Sequence, residues 1–111
     1  MTGLAQDTCT ACSGRSPALG KAEIERLHAE LGEWEVERGH HLARTFTFPD
    51  FARALAFVNR IGAIAEDQGH HPEVLLSWGR VRVEIWTHKV DGLTRSDFVL
   101  AAKIDVAQRP S

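Results

Sequence analysis

This chain has no tyrosine, and it has no surplus of cationic residues: 13 Lys and Arg stand against 15 Asp and Glu, a formal net charge of −2. Without a basic patch to neutralise phosphates, broad nucleic-acid binding is excluded as a primary role. No apolar run approaches the ~20 residues of a membrane-spanning helix. The N-terminus carries Asp7 and lacks a basic stretch leading into an apolar one, so no secretory leader is expected. Cysteine is scarce, limited to Cys9 and Cys12. A structural zinc site needs four ligands, and no second C-x-x-C exists; His40 and His41 complete a set only at unusual spacing. Nothing before Cys9 resembles the strand that precedes a redox C-x-x-C. The pair therefore reads as reduced and solvent-facing, on a flexible polar arm over 1–19, in a protein of the reducing cytoplasm. There is no internal repeat and no low-complexity segment. What is present, at 43% apolar and 25% charged residues, is ordinary globular composition, and 20–111 reads as one domain. Six histidines are the feature that asks for an explanation.

Ile24, Leu27 and Leu31 recur at helical spacing, and Gly32 follows as a stop, which predicts a first helix over Lys21–Leu31. Two strands come next, Trp34–Glu37 and His41–Phe48, with Gly39 as the turn between them. In the second, Leu42, Arg44, Phe46 and Phe48 share one parity, and its Thr and Phe residues favour extended backbone. Pro49 suits the first turn of another helix. There Phe51, Ala54, Leu55, Val58, Ile61 and Ala65 form an apolar stripe ending at Gly69, the position of a glycine C-cap. Residues 74–87 read as a hairpin, and Thr94-x-x-Asp97 opens a last helix as a variant capping box. The order α-β-β-α-β-β-α predicts an α+β fold with helices covering one face of a sheet.

Gly79-Arg80 fits a two-residue turn with glycine in the first central position. In that register Val74, Leu76 and Trp78 oppose Ile85, Val83 and Val81 on one apolar face. Leu75, Ser77, Arg82, Glu84 and Trp86 take the other face. The same register sets His71 opposite His88, with Cβ atoms ~4.5–5.5 Å apart if pairing runs past Pro72. With His70 adjacent, three imidazoles converge at one end of the hairpin. Imidazole titrates near neutral pH, so such a cluster can hold a general acid beside a general base. Removing a hydroxyl and a proton in one event needs that combination. Glu66, Asp67 and Asp97 are close enough in sequence to orient a ring. Two other readings stay open: three histidines can bind a metal, or they can form only a polar sheet edge. Trp86 reads either as a platform for a planar ligand or as a subunit contact. Asp97 reads as a helix cap or as a partner of the site. His28 reads as a helix-surface residue. His40 and His41 read as surface residues facing opposite ways on a strand.

The run Glu66-Asp67-Gln68-Gly69-His70-His71-Pro72-Glu73 resembles the E-x-x-x-H-H-P motif of the pterin-4a-carbinolamine dehydratase family. Beyond the hairpin, Thr87-His88, Gly92-Leu93-Thr94 and Asp97 resemble that family's T-H, G-L-S/T and following D. Trp34, Phe48 and Phe51 match aromatic positions upstream. The resemblance covers about residues 20–107. It implies a four-stranded antiparallel sheet with three helices on one face. It implies a hydro-lyase that converts 4a-hydroxytetrahydropterins, the products of aromatic amino acid hydroxylases, to quinonoid dihydropterins with no metal or organic cofactor. His70, His71 and His88 map to the catalytic histidines, and Glu66, Pro72, Thr87 and Asp97 to positions lining or supporting the site. A homodimer or homotetramer is implied as well. The alternative on the same fold is a non-catalytic coactivator or assembly protein. One departure stands out. Many members carry an aromatic residue two positions after the H-H-P proline, and this chain has Val74. Any aromatic wall for the pterin then falls to another residue, with Trp86 as the candidate.

Overall fold

The computed structural model describes residues 18–108, so the expected arm with Cys9 and Cys12 lies outside the described residues. Three helices and four strands follow one another as α1 (Lys21–Leu31), β1 (Glu35–Glu37), β2 (His41–Thr47), α2 (Phe51–Gln68), β3 (Glu73–Ser77), β4 (Arg80–Ile85) and α3 (Arg95–Gln108), with a 3-10 turn at His88–Val90. The strands are antiparallel and lie in the order β1-β2-β4-β3. This is the α+β order expected from the sequence. Alternation sorts the two sheet faces: Leu42, Phe46, Val81, Val83 and Ile85 are buried under the helices, while Thr45 and Thr47 point to solvent. Among the described residues no helix is long and apolar enough to cross a membrane.

Helix α2 starts two residues later than its proline suggests. Asp50 is the N-cap and its side chain accepts from the Arg53 backbone N–H at 2.8 Å, which leaves Pro49 ahead of the cap. The helix is also rolled relative to the expected stripe. Its buried line is Ala54, Phe57, Ile61 and Ala65, while Phe51 and Leu55 stay exposed. The reason is aromatic packing. Phe57 sits against Phe46 and Phe48, with ring centroids 4.8 and 5.2 Å away, and carries the helix round with it. Helix α3 packs between α1 and α2 and on β2, so it is apolar nearly all round: Phe98, Val99, Leu100, Ala101, Ala102 and Ile104 are all buried.

Two polar ties fix the ends of the core. Asp105 of α3 accepts from Trp34 Nε1 at 2.9 and 3.0 Å and from Arg44 Nη1 at 2.7 Å. The imidazole of His28 reaches the Trp34 carbonyl, so this residue joins α1 to the start of β1 and is not a plain helix-surface residue.

The β3–β4 hairpin corrects the expected register by two residues. Ser77 pairs with Arg80 and Val74 with Val83, so the turn is Trp78-Gly79. Arg80 also pairs with Thr47, which makes it a strand residue on both sides. Gly79 lies under the end of β2: its carbonyl accepts from Phe48 N–H at 2.9 Å, and a Cβ here would stand 2.8 Å from the Phe48 carbonyl oxygen. A slip of two residues keeps side-chain parity, so the expected faces survive within the strands, but Trp78, expected on the apolar face opposite Val81, falls in the turn and is exposed. The slip also changes what meets at the hairpin's open end. Ladder pairing stops at Glu73–Glu84. Continued onward, the register brings position 71 level with Trp86, so His71 does not oppose His88.

Candidate active site

Helix α2 delivers the first two histidines. Gly69 takes the left-handed conformation, φ 65° and ψ 28°, and its N–H and that of His70 both bond the Ala65 carbonyl. The sharp exit turns His70 inward, where its side chain is 7% exposed, and leaves His71 outside at 60%.

His70 meets Asp97, the third residue of α3. Its Nε2 lies 2.6 Å from Asp97 Oδ1. The other carboxylate oxygen accepts from Thr94 N–H and from Thr87 Oγ1, each at 2.8 Å. Thr87 and Thr94 hydroxyls are 2.9 Å apart. Because Thr87 gives its hydrogen to Asp97, Thr94 donates to Thr87. Asp97 has no exposed surface, and a buried carboxylate is tolerated only when it is hydrogen-bonded all round. A carboxylate can only accept, so His70 Nε2 carries a hydrogen and Nδ1 is the nitrogen left over. Asp97 therefore serves two elements at once. One oxygen closes the reciprocal half of a capping box on α3, and the other orients an imidazole.

Glu66, on the last turn of α2, stands behind His71. Its Oε2 is 2.6 Å from His71 Nε2, in an exposed pair. The two carboxylates thus divide the adjacent histidines, Asp97 to His70 and Glu66 to His71. Asp67 turns away to Gln68. Pro72 is half-buried and marks the end of sheet pairing.

His88 follows Thr87, whose backbone closes a tight bridge with Gly92 before α3 begins. The Asp97–Thr87 hydrogen bond anchors the segment that bears His88 to the carboxylate that holds His70. The His88 ring is exposed and packs on Trp86, centroids 4.5 Å apart. Trp86 has further neighbours that the sequence reading passed over. His40 and His41, expected on the surface and facing apart, both turn toward its indole, at 5.5 and 5.8 Å. His40 precedes β2, in a turn where Arg38 and Gly39 have positive φ, so strand alternation does not apply to it. Among the described residues no hydrogen bond joins any two of His70, His71 and His88, and no group of three or more His, Cys, Asp or Glu is placed to hold a metal ion. Val74 is partly exposed on the outer strand. The aromatic surface beside His88 is Trp86.

The arrangement offers a buried carboxylate–imidazole pair, an exposed one, and a third imidazole on an aromatic plane. The chain is similar to known proteins at three levels. A family model described as pterin 4 alpha carbinolamine dehydratase matches residues 17–107. A protein of Rubrobacter xylanophilus named "putative pterin-4-alpha-carbinolamine dehydratase" is 51% identical, covering 95% of this chain and 98% of its own. One of the same name from Alkaliphilus metalliredigens is 50% identical, covering 97% and 98%. The crystal structure of a transcriptional coactivator/pterin dehydratase from Brucella melitensis superposes with TM-score 0.76 at 31% identity, over 81% of this chain and 97% of that one. A pterin dehydratase-like protein identified as a RuBisCO assembly factor in the alpha-carboxysome shares the fold, with TM-score 0.58 at 20% identity over 71% of this chain and 90% of that one. The match spans both histidine-bearing segments and nearly every element, and the chain belongs to the pterin 4 alpha carbinolamine dehydratase family.

Proposed function

We propose that this protein dehydrates a 4a-hydroxytetrahydropterin to the quinonoid dihydropterin by histidine acid/base catalysis. An acid protonates the 4a-hydroxyl, which leaves as water, and a base takes a proton from the pterin ring, so the reaction is a net loss of water. The observation that carries the reading, beside family membership, is the buried Asp97 that binds His70 and the Thr87 next to His88. On this reading His70 is an anchor, because its side chain is buried and its Nε2 is committed. His71 and His88 are exposed and do the proton work, with Glu66 behind His71 as the carboxylate that holds its tautomer. Thr87 and Asp97 support the site, Pro72 ends the strand so that His71 stays out of the ladder, and Trp86 supplies a planar surface. The resemblance adds an aromatic amino acid hydroxylase as the source of substrate, a cytoplasmic setting and a homo-oligomer.

A positioned acid or base contributes typically ~10²–10⁴-fold. His71→Ala and His88→Ala are each expected to slow dehydration at least ~10²-fold in a stopped-flow assay on a 4a-hydroxytetrahydropterin. Near-normal turnover in both variants would falsify the assignment. If the wild type gives no acceleration over buffer, the chain is instead a binding or assembly protein on this fold, the kind of role named for the Brucella and carboxysome proteins.

A further inference from the structure

His40 and His41 are absorbed neither by the motif nor by the proposed chemistry, yet they touch what surrounds His88. His40 Nε2 lies 2.8 Å from Asp91 Oδ1. Asp91 ends the 3-10 turn that begins at His88, in a left-handed conformation with φ 51°. The Nδ1 atoms of His40 and His41 are 3.2 Å apart. That bond needs one N–H and one lone pair, so it locks one ring against the other. His41 Nε2 is 3.4 Å from Glu37 Oε1, and Glu37 in turn faces Arg82, which pairs with Glu84. Both imidazoles pack on Trp86, and Trp86 packs on His88.

The segment bearing His88 is therefore gripped twice. Inside, Thr87 is held by Asp97. Outside, Asp91 is held by His40, and the indole beneath His88 is held by both His40 and His41. We propose that His40 and His41 are positioning residues for His88, acting through Trp86 and Asp91. This rests on the dehydratase reading above. The exposed His40–Asp91 pair adds little to global stability, because exposed ion pairs are weak. Its effect falls on where the His88 ring sits, and a misplacement of about 1 Å can slow a reaction far more than it unfolds a protein.

The test has two arms. With its centroid 4.5 Å from that of Trp86, the His88 ring is expected to show a ring-current shift in NMR spectra, which needs no turnover to observe. In the His40→Ala/His41→Ala double variant that shift is expected to collapse, and kcat to fall roughly tenfold, as for lost supporting partners elsewhere, with KM within about twofold. His40→Gln, which keeps a donor toward Asp91, is expected to recover most of both, and it also covers the case in which the double variant does not fold. An unchanged His88 shift overturns the proposal. So does a lost shift with unchanged kcat, or a raised KM at constant kcat, which marks direct substrate contact. If the wild type does not dehydrate the pterin, the dehydratase reading fails by itself, and the ring-current arm still decides whether the pair holds His88.

Discussion

At the scale of single residues, Asp97 does most to join structure and site. It accepts three hydrogen bonds with no exposed surface. Hydrogen bonds to a charged group are each worth about 1.5–3 kcal/mol, more than an ordinary pair. Asp97→Asn keeps the size but loses the charge, and its amide group would face donors. It is expected to cost about 2–3 kcal/mol in thermal unfolding and to lower turnover by roughly 10–100-fold, as supporting partners do. Unchanged turnover would leave His70 without a role. Asp105 makes a different prediction. Burial pushes its carboxyl above the ordinary value of 3.8, and the Trp34 hydrogen bonds and the Arg44 charge only partly offset this. Its native form then binds a proton more tightly than the unfolded chain does. Its contribution to stability is complete below the unfolded value and is lost as pH rises through the folded one. Comparing melting temperatures of wild type and Asp105→Asn, the wild type is expected to gain relative to the variant as pH falls from about 7 to about 4. A constant difference across that range would contradict the burial argument.

At the scale of elements, two glycines do unlike jobs. Gly69 has open space where a Cβ would go but a φ of 65°, so Gly69→Ala strains only the backbone. A cost of about 1–2 kcal/mol is expected, with the His70–His71 exit disturbed. Gly79 has no positive φ, but a Cβ would meet a carbonyl oxygen at 2.8 Å. Gly79→Ala must therefore pry the hairpin turn from the end of β2, and it is expected to be the more destabilising of the two. In a domain of this size each kcal/mol lowers the melting temperature by about 4–8 °C, so calorimetry separates them. The rolled face of α2 cannot be reduced to propensity. Periodicity announced the helix and its stop, while Phe57 settled its rotation by packing on Phe46 and Phe48.

At the scale of the whole molecule, the two sheet edges are unlike. Strand β1 is three residues long and carries Glu35 and Glu37, which discourages edge-to-edge pairing. Strand β3 leaves Val74 and Leu75 exposed, the hairpin tip leaves Trp78 at 69% exposure, and α2 adds Phe51 and Leu55. Apolar surface on an unpaired edge is what a subunit contact covers. The homo-oligomer proposed above is thus expected to use the β3 side. Light scattering coupled to size exclusion should show more than one copy for the wild type and a smaller species for Leu75→Lys with Trp78→Lys. A wild-type monomer at micromolar concentration would count against it.

The sequence by itself determined the element order, the face each strand residue takes, the cap at Gly69 and the histidine motif. These rest on local periodicity, on glycine conformation and on adjacent residues. Parity even survived a wrong turn assignment, because the error was two residues and side-chain direction repeats every two. What met at the end of the hairpin was not legible, since it depends on β4 lying between β2 and β3. That non-local pairing holds Arg80 in the ladder on its second side and brings His41 to the neighbourhood of Trp86. Tertiary structure likewise decided which carboxylate serves which histidine. His70 and Asp97 are 27 positions apart, and nothing short of packing α3 against the end of α2 could choose Asp97 for His70 and leave Glu66 to His71.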